Sequence, residues 1–208
     1  IGQLLEENGL RVSDLDAIAV SKGPGSYTGL RIGVSSAKGL AYAAGIPLIG
    51  INTLAAMCSG YISSHNGELT SSTLLCPMID ARRMEVYNAL FRHDGTMLRE
   101  TTADIIDENS FSEVLADNRV VFFGNGSEKC SETIKHPNAL FVKGFRLSAL
   151  YLHVPAVNAL RNKNFEDVGS DFAKEALRMH YGVSEKKNIK GSATWEEEKM
   201  LRDEQIEF

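Results

Sequence analysis

The chain has 208 residues, of which 43% are hydrophobic and 24% charged. That is the make-up of one soluble globular domain or two small lobes, with no apolar run near the ~18 residues a membrane span requires. A formal net charge of −5 argues against a stand-alone nucleic-acid binder, which carries a basic patch or stripe, but not against a place in a larger RNA-handling assembly.

Ile1, Leu4, Leu5 and Asn8 read as the end of an amphipathic helix. The chain opens on Ile1 in mid-pattern, with no signal segment, so upstream chain is expected to be missing. Residues 16–21 (DAIAVS) form a short apolar run typical of a buried strand. After a glycine-rich turn, Leu30, Val34, Ala37, Leu40 and Ala41 recur at helical spacing, and Gly45 with Pro47 ends that helix. Residues 47–51 predict a second strand, and Thr53 is the expected cap of a helix over 54–62. Residues 63–72 read as a loop, because Ser, Asn, Gly and Thr dominate it.

Beyond that loop the pattern predicts strands at 73–80 and 85–92, a hairpin turn at 93–96 (HDGT) and a strand at 97–102. A helix at 110–117 and a buried strand at 119–123 follow, the latter running into Gly124-Asn125-Gly126-Ser127. A helical segment to about Ile134, a strand at 139–143 and helices at 148–162 and 169–180 complete the reading. From Ser184 the tail has seven acidic and five basic residues and few apolar ones, which predicts an exposed or disordered segment. Trp195 within it is a docking anchor or incidental. The expected organisation is α/β, with a first lobe at 1–62, a second at 73–183 and a tail at 184–208.

The cysteines Cys58, Cys76 and Cys130 are odd in number and far apart, which suits buried free thiols in a reducing compartment. The histidines, His65, His93, His136, His153 and His180, include no pair at metal-ligand spacing. Nor does any nucleophile, base and orienting group fall into a catalytic pattern.

Gly23, Gly25, Gly29 and Gly33 fall within eleven residues between the first strand and the long helix. Unpaired amides at a helix start suit an anion, so Gly23, Gly25, Ser26 and Thr28 are candidate phosphate contacts. The spacing G-x-G-x-x-x-G is one residue too long for the dinucleotide fingerprint, and Leu30 and Arg31 stand where a P-loop has Lys and Ser/Thr. The helix itself is rich in Gly, Ala and Ser, which fits close packing either on its own sheet or against another subunit.

The stretch GPGSYTGLRIG, followed by AKGLA, PLIGINTL and MIDARRMEVY, resembles the bacterial TsaB/YeaZ family of tRNA threonylcarbamoyladenosine biosynthesis proteins. The likeness is dense over residues 16–87 and weaker to about Lys143. It implies an actin-like ATPase (ASKHA) fold of two lobes, the first N-terminally incomplete here because the family's opening Asp-Thr-Ser strand is absent. It also implies a non-catalytic, cytoplasmic scaffold without a cofactor. The implied partners are the catalytic paralogue TsaD and the ATPase TsaE, with tRNA engaged only through the complex and a homodimer in TsaD's absence. The implied interface is the small-residue helix, with Arg31, Ile32, Ser35 and Lys38, together with Leu4 and Leu5 on the first helix. Asp80 and Arg82 are candidates for a cleft between the lobes, the alternative being a solvated turn with a local ion pair. A departure from the family's Pro-x-Tyr pattern at 171–182 leaves the region beyond Phe145 without a role. The rival reading is a nucleotide-hydrolysing actin-like ATPase that uses the glycine loop on phosphate.

Overall fold

The computed structural model describes residues 1–65, 69–163, 166–184 and 189–206. The chain divides into two compact units, Ile1–Ala156 and Val157–Phe208. The lobe boundary expected between 62 and 73 falls inside the first unit.

The first unit opens with a short helix, Gly2–Glu7 (α1), that buries none of its residues. The apolar run behind it forms the strand Ile18–Ser21 (β1). The 18-residue helix Tyr27–Ala44 (α2) follows, and then the strand Leu48–Ile51 (β2), parallel to β1 with Ile18 opposite Leu48. Gly45 ends α2 in the left-handed conformation, as its place before Pro47 predicts. The next helix is Thr53–Ser64 (α3). Its cap is Asn52, not Thr53: the Asn52 Oδ1 accepts the backbone N–H groups of Leu54 and Ala55 at 2.8 and 3.2 Å. Thr53 is excluded from that role because its hydroxyl lies 2.5 Å from the Ser21 hydroxyl.

Five strands then build one mixed sheet: Thr73–Asp80 (β3), Glu85–Arg92 (β4), Met97–Ile105 (β5), Arg119–Phe123 (β6) and Ala139–Val142 (β7). Their spatial order is β5-β4-β3-β6-β7, antiparallel on the β5 side and parallel on the β7 side. Alternate residues of a strand face opposite ways, and here both faces are covered. Leu74, Cys76, Met78, Val120 and Phe122 enter one core, with Leu115 of the helix Ser112–Asp117 (α4) and Cys130 of the short helix Ser127–Cys130 (α5). Leu75, Ile79, Val121 and Phe123 enter the other, against Leu54, Met57, Cys58 and Tyr61 of α3. That two-sided burial explains why β3 and β6 read as unbroken apolar runs. The helix expected to reach Ile134 stops at Cys130.

Gly60 on α3 is required by packing. A Cβ there would lie inside the ring of Tyr151. That ring stacks on Phe145, which in turn contacts Phe123 and Tyr61.

The division between the units falls within the helix His153–Lys163 (α6). The second unit pairs the short parallel strands Glu166–Gly169 (β8) and Ile189–Gly191 (β9). It packs the helices Phe172–His180 (α7) and Trp195–Asp203 (α8) through Ala173, Ala176 and Leu201. The segment from Ser184, expected as an exposed or disordered tail, therefore contains an ordered helix. Thr194 and Glu197 cap it reciprocally, the Glu197 N–H donating to Thr194 and the Thr194 N–H to Glu197. Trp195 opens α8 with 72% of its surface exposed and Lys199 5.8 Å over its ring. No described helix is long and apolar enough to cross a membrane.

Candidate functional site

The glycine loop is pinned at both ends. The Lys22 N–H donates to the Ile51 carbonyl, and the Thr53 N–H to the Gly23 carbonyl, each at 2.8 Å. Gly23 has φ 108°, a left-handed value that a side chain would strain. Leu30 reaches back from the first turn of α2 and lines the inside of the loop: a Cβ at Gly23 would lie 3.3 Å from it and one at Gly25 3.8 Å. The Ser26 Oγ accepts the Gly29 N–H at 3.3 Å and so caps the helix. Gly23, Gly25, Ser26 and Thr28 thus gather at the start of α2, around a leucine that belongs to the same helix.

The outer face of α2 carries the residues the resemblance singles out. Arg31, Ile32, Ser35 and Lys38 are all exposed, and only Ala37 and Ala41 are buried. Arg31 lies 4.3 Å over the Tyr27 ring. Ile32 is 63% exposed and Tyr42 91%, apolar bodies left in water on one helix. An interior glycine costs about 1 kcal/mol against alanine, and at Gly39 no internal contact asks for it, because an added Cβ would meet nothing within 4 Å. On α1, Leu4 is exposed and Leu5 half-buried.

The turn between β3 and β4 is built around one ammonium group. Lys129 of α5 donates to the Asp80 carboxylate at 2.5 Å and to the carbonyls of Arg83 and Glu85 at 2.6 and 2.7 Å. The same Asp80 oxygen accepts the Arg82 N–H at 2.9 Å. Lys129 first, and that N–H second, hold the Asp80 carboxyl below the usual carboxylate range. In the turn that follows β6, the Asn125 Oδ1 accepts the Asp80 N–H at 3.2 Å. Gly124, at φ 104°, brings its backbone against Met78, where a Cβ would collide with the Met78 carbonyl. Asp80 is thereby a bonded member of this turn. Arg82 and Arg83 both adopt left-handed backbone, φ 72° and 44°, which costs a non-glycine residue about 1–2 kcal/mol.

Sequence reasoning missed two polar groups. Lys129 has partners 44 to 49 residues away, and no local pattern announces it. Asn88 is fully buried on β4, donating to Asp104 at 2.9 Å and accepting from Arg99. A lone Asn within an apolar strand was the available signal. The three cysteines are free and buried, and burial pushes the Cys58 thiol up to about 12 and the Cys76 thiol higher still. His65 stacks on Tyr61 with centroids 4.1 Å apart, and the His136 Nδ1 accepts the Asn138 N–H at 3.2 Å. Among the described residues no three His, Cys, Asp or Glu side chains are grouped to hold a metal.

A profile of the family described as TsaD: tRNA N6-adenosine threonylcarbamoyltransferase matches residues 1–193. The chain belongs to the TsaD family. The tRNA threonylcarbamoyladenosine biosynthesis protein TsaB of Bacillus subtilis (strain 168) is 33% identical over 151 residues, 70% of this chain and 61% of that protein. The tRNA N6-adenosine threonylcarbamoyltransferase of Ruegeria pomeroyi is 53% identical over 55 residues, 26% of this chain and 15% of that protein. Among solved structures, YeaZ from Pseudomonas aeruginosa matches with a TM-score of 0.59 and 25% identity, over 78% of this chain and 75% of that one. The chain thus spans 61% of the length of the Bacillus relative. These likenesses bear out the resemblance to TsaB/YeaZ proteins and the α/β actin-like fold.

Proposed function

We propose that this TsaD-family chain is a non-catalytic scaffold of a tRNA threonylcarbamoyladenosine transferase assembly, working in the cytoplasm. It binds and activates a TsaD-type catalytic subunit through the outer face of α2, with Arg31, Ile32, Ser35 and Lys38, extended by Leu4 and Leu5 of α1. A TsaE-type ATPase and tRNA join through the complex, and two copies pair through the same face when the catalytic subunit is absent.

The observation that carries this reading is Gly39. A glycine with empty space beyond it, on a helix that leaves Ile32 and Tyr42 in water, weakens the isolated chain and suits one that another backbone approaches closely. The names borne by the Bacillus and Ruegeria relatives support the pathway.

Light scattering on mixtures with a TsaD-type transferase tests the proposal. A 1:1 complex that Ser35→Trp abolishes is the expected result; no complex, or one indifferent to Ser35→Trp, overturns it. Calorimetry with ATP separates the hydrolase rival, since turnover of ATP by this chain alone would replace the scaffold reading.

A further inference from the structure

The parallel strands β3, β6 and β7 end on the same edge of the sheet, with Pro77 level with Phe123 and Phe123 with Val142. The segments leaving that edge are the β3–β4 turn with Arg82 and Arg83, the loop 124–127, and the stretch after β7 with Lys143 and Arg146, and all four of these cations are exposed. In open α/β sheets the carboxyl ends of the strands are where ligands bind. Two acidic groups on this edge, Asp80 and Glu128, are engaged internally, whereas Glu85 at the start of β4 and Glu108 after β5 have no ion pair or side-chain hydrogen bond among the described residues. Lys129 and the Arg82 N–H take Asp80, and the Glu128 carboxylate accepts the Gly144 N–H at 3.3 Å.

Arg82 and Arg83 stand out on this edge. Left-handed backbone favours glycine or asparagine, and the turn is held by Lys129 through backbone carbonyls, not by either arginine side chain. Among the described residues neither guanidinium makes an ion pair or side-chain hydrogen bond. Two arginines are therefore kept on a rigid turn that strains them and that their side chains do nothing to hold. Guanidinium forks match phosphate oxygens bidentately. Lys143 and Arg146 follow a strand two places along the sheet, roughly 10 Å away at the usual strand spacing, a spread that suits successive phosphates of a polymer better than those of one nucleotide.

We infer that this strand edge, led by Arg82 and Arg83, binds the phosphodiester backbone of an RNA. The occupant's being RNA rests on the function proposed above; the recognition of phosphate rests on the edge itself. The charge is local, so binding by the isolated chain is weak and sensitive to salt despite the net charge of −5.

The test is fluorescence anisotropy of the whole chain with a labelled anticodon stem-loop between 50 and 200 mM salt, for the native sequence and for the double variant Arg82→Gly/Arg83→Gly. Glycine suits the left-handed backbone, so the variant keeps the turn and melts at or above the native temperature. The expected result is at least a tenfold loss of RNA affinity and a salt slope shallower by about two. Arg82→Lys/Arg83→Lys retains most of the slope but less affinity. Equal RNA binding by the glycine variant, or no RNA binding by the native chain, overturns the inference. So does ATP or inorganic phosphate binding that depends on both arginines while RNA binding does not. Association with the transferase subunit is measured on the same variant and stays unchanged, so a failure of the scaffold reading is seen separately from a failure of this one.

Discussion

The Lys129 ammonium lies 2.5 Å from the Asp80 carboxylate and 2.6 Å from the Arg83 carbonyl, so one cation closes the turn that joins β3 to β4. Its side chain is 22% exposed and that of Asp80 44%, which makes the carbonyl bonds the larger part of its contribution. Lys129→Met leaves the Arg83 carbonyl without this donor, while Asp80 keeps the Arg82 N–H and the Glu85 carbonyl keeps the Ala81 N–H. The expected loss is about 1–2 kcal/mol in urea unfolding, and a loss below a few tenths would show that water replaces the ammonium without penalty.

Asp80 gives a pH signature to the same turn. Its folded pKa is depressed, by Lys129 first and the Arg82 N–H second. A depressed carboxylate stabilises the fold above its unfolded pKa of about 3.9, and that stabilisation disappears as pH falls through the folded value. Wild type should therefore exceed Asp80→Asn in stability at pH 6, and the two should converge as the pH drops below 4. A difference that stays constant from pH 6 to pH 3 would contradict the pairing.

Gly60 and Tyr151 form a steric pair. Gly60→Ala pushes a methyl into the Tyr151 ring, and overpacking of this kind costs about 1–3 kcal/mol. Tyr151→Ala is destabilising alone, yet Gly60→Ala should add little in its presence. A double-mutant cycle read by thermal melting checks this coupling; strictly additive losses would mean that the ring is not what excludes a side chain at position 60.

Gly39→Ala should move two measurements in opposite directions. The free chain gains up to about 1 kcal/mol, because the new methyl meets nothing and helix propensity improves. On the scaffold proposal, association with a TsaD-type subunit weakens, because the added methyl would hold an approaching backbone off. Improved stability with unchanged association would remove Gly39 from the contact.

Where packing follows from a continuous apolar run, the sequence was legible. Strands β3 and β6 are buried on both faces by α3 on one side and by α4 and α5 on the other, and their residues announce it. The Gly45 stop follows equally from local chemistry. Errors arose where a distant residue decides between local equals. Asn52 and Thr53 both qualify as caps, and Ser21, 32 positions from Thr53, claims the threonine hydroxyl. Helix α8 was hidden because its only fully buried side chain is Leu201, and one apolar residue among charges makes no periodic stripe. Lys129 was invisible for the same reason as the cap, its partners being remote in sequence. The candidate loop, helix face and Asp80 were found by pattern, whereas the strain at Arg82 and Arg83 exists only in the backbone.

Asn52 does more than start a helix. While its Oδ1 holds the first amides of α3, its Nδ2 donates to the Thr101 hydroxyl at 2.9 Å, on edge strand β5. The first turn of the helix and the middle of an edge strand, 49 residues apart, thus share one side chain. Neither end can fray without releasing the other, so their amides should lose hydrogen-exchange protection together, as a single opening unit. In Asn52→Ala, edge strand and helix start open independently, and the edge of the sheet becomes the more labile of the two.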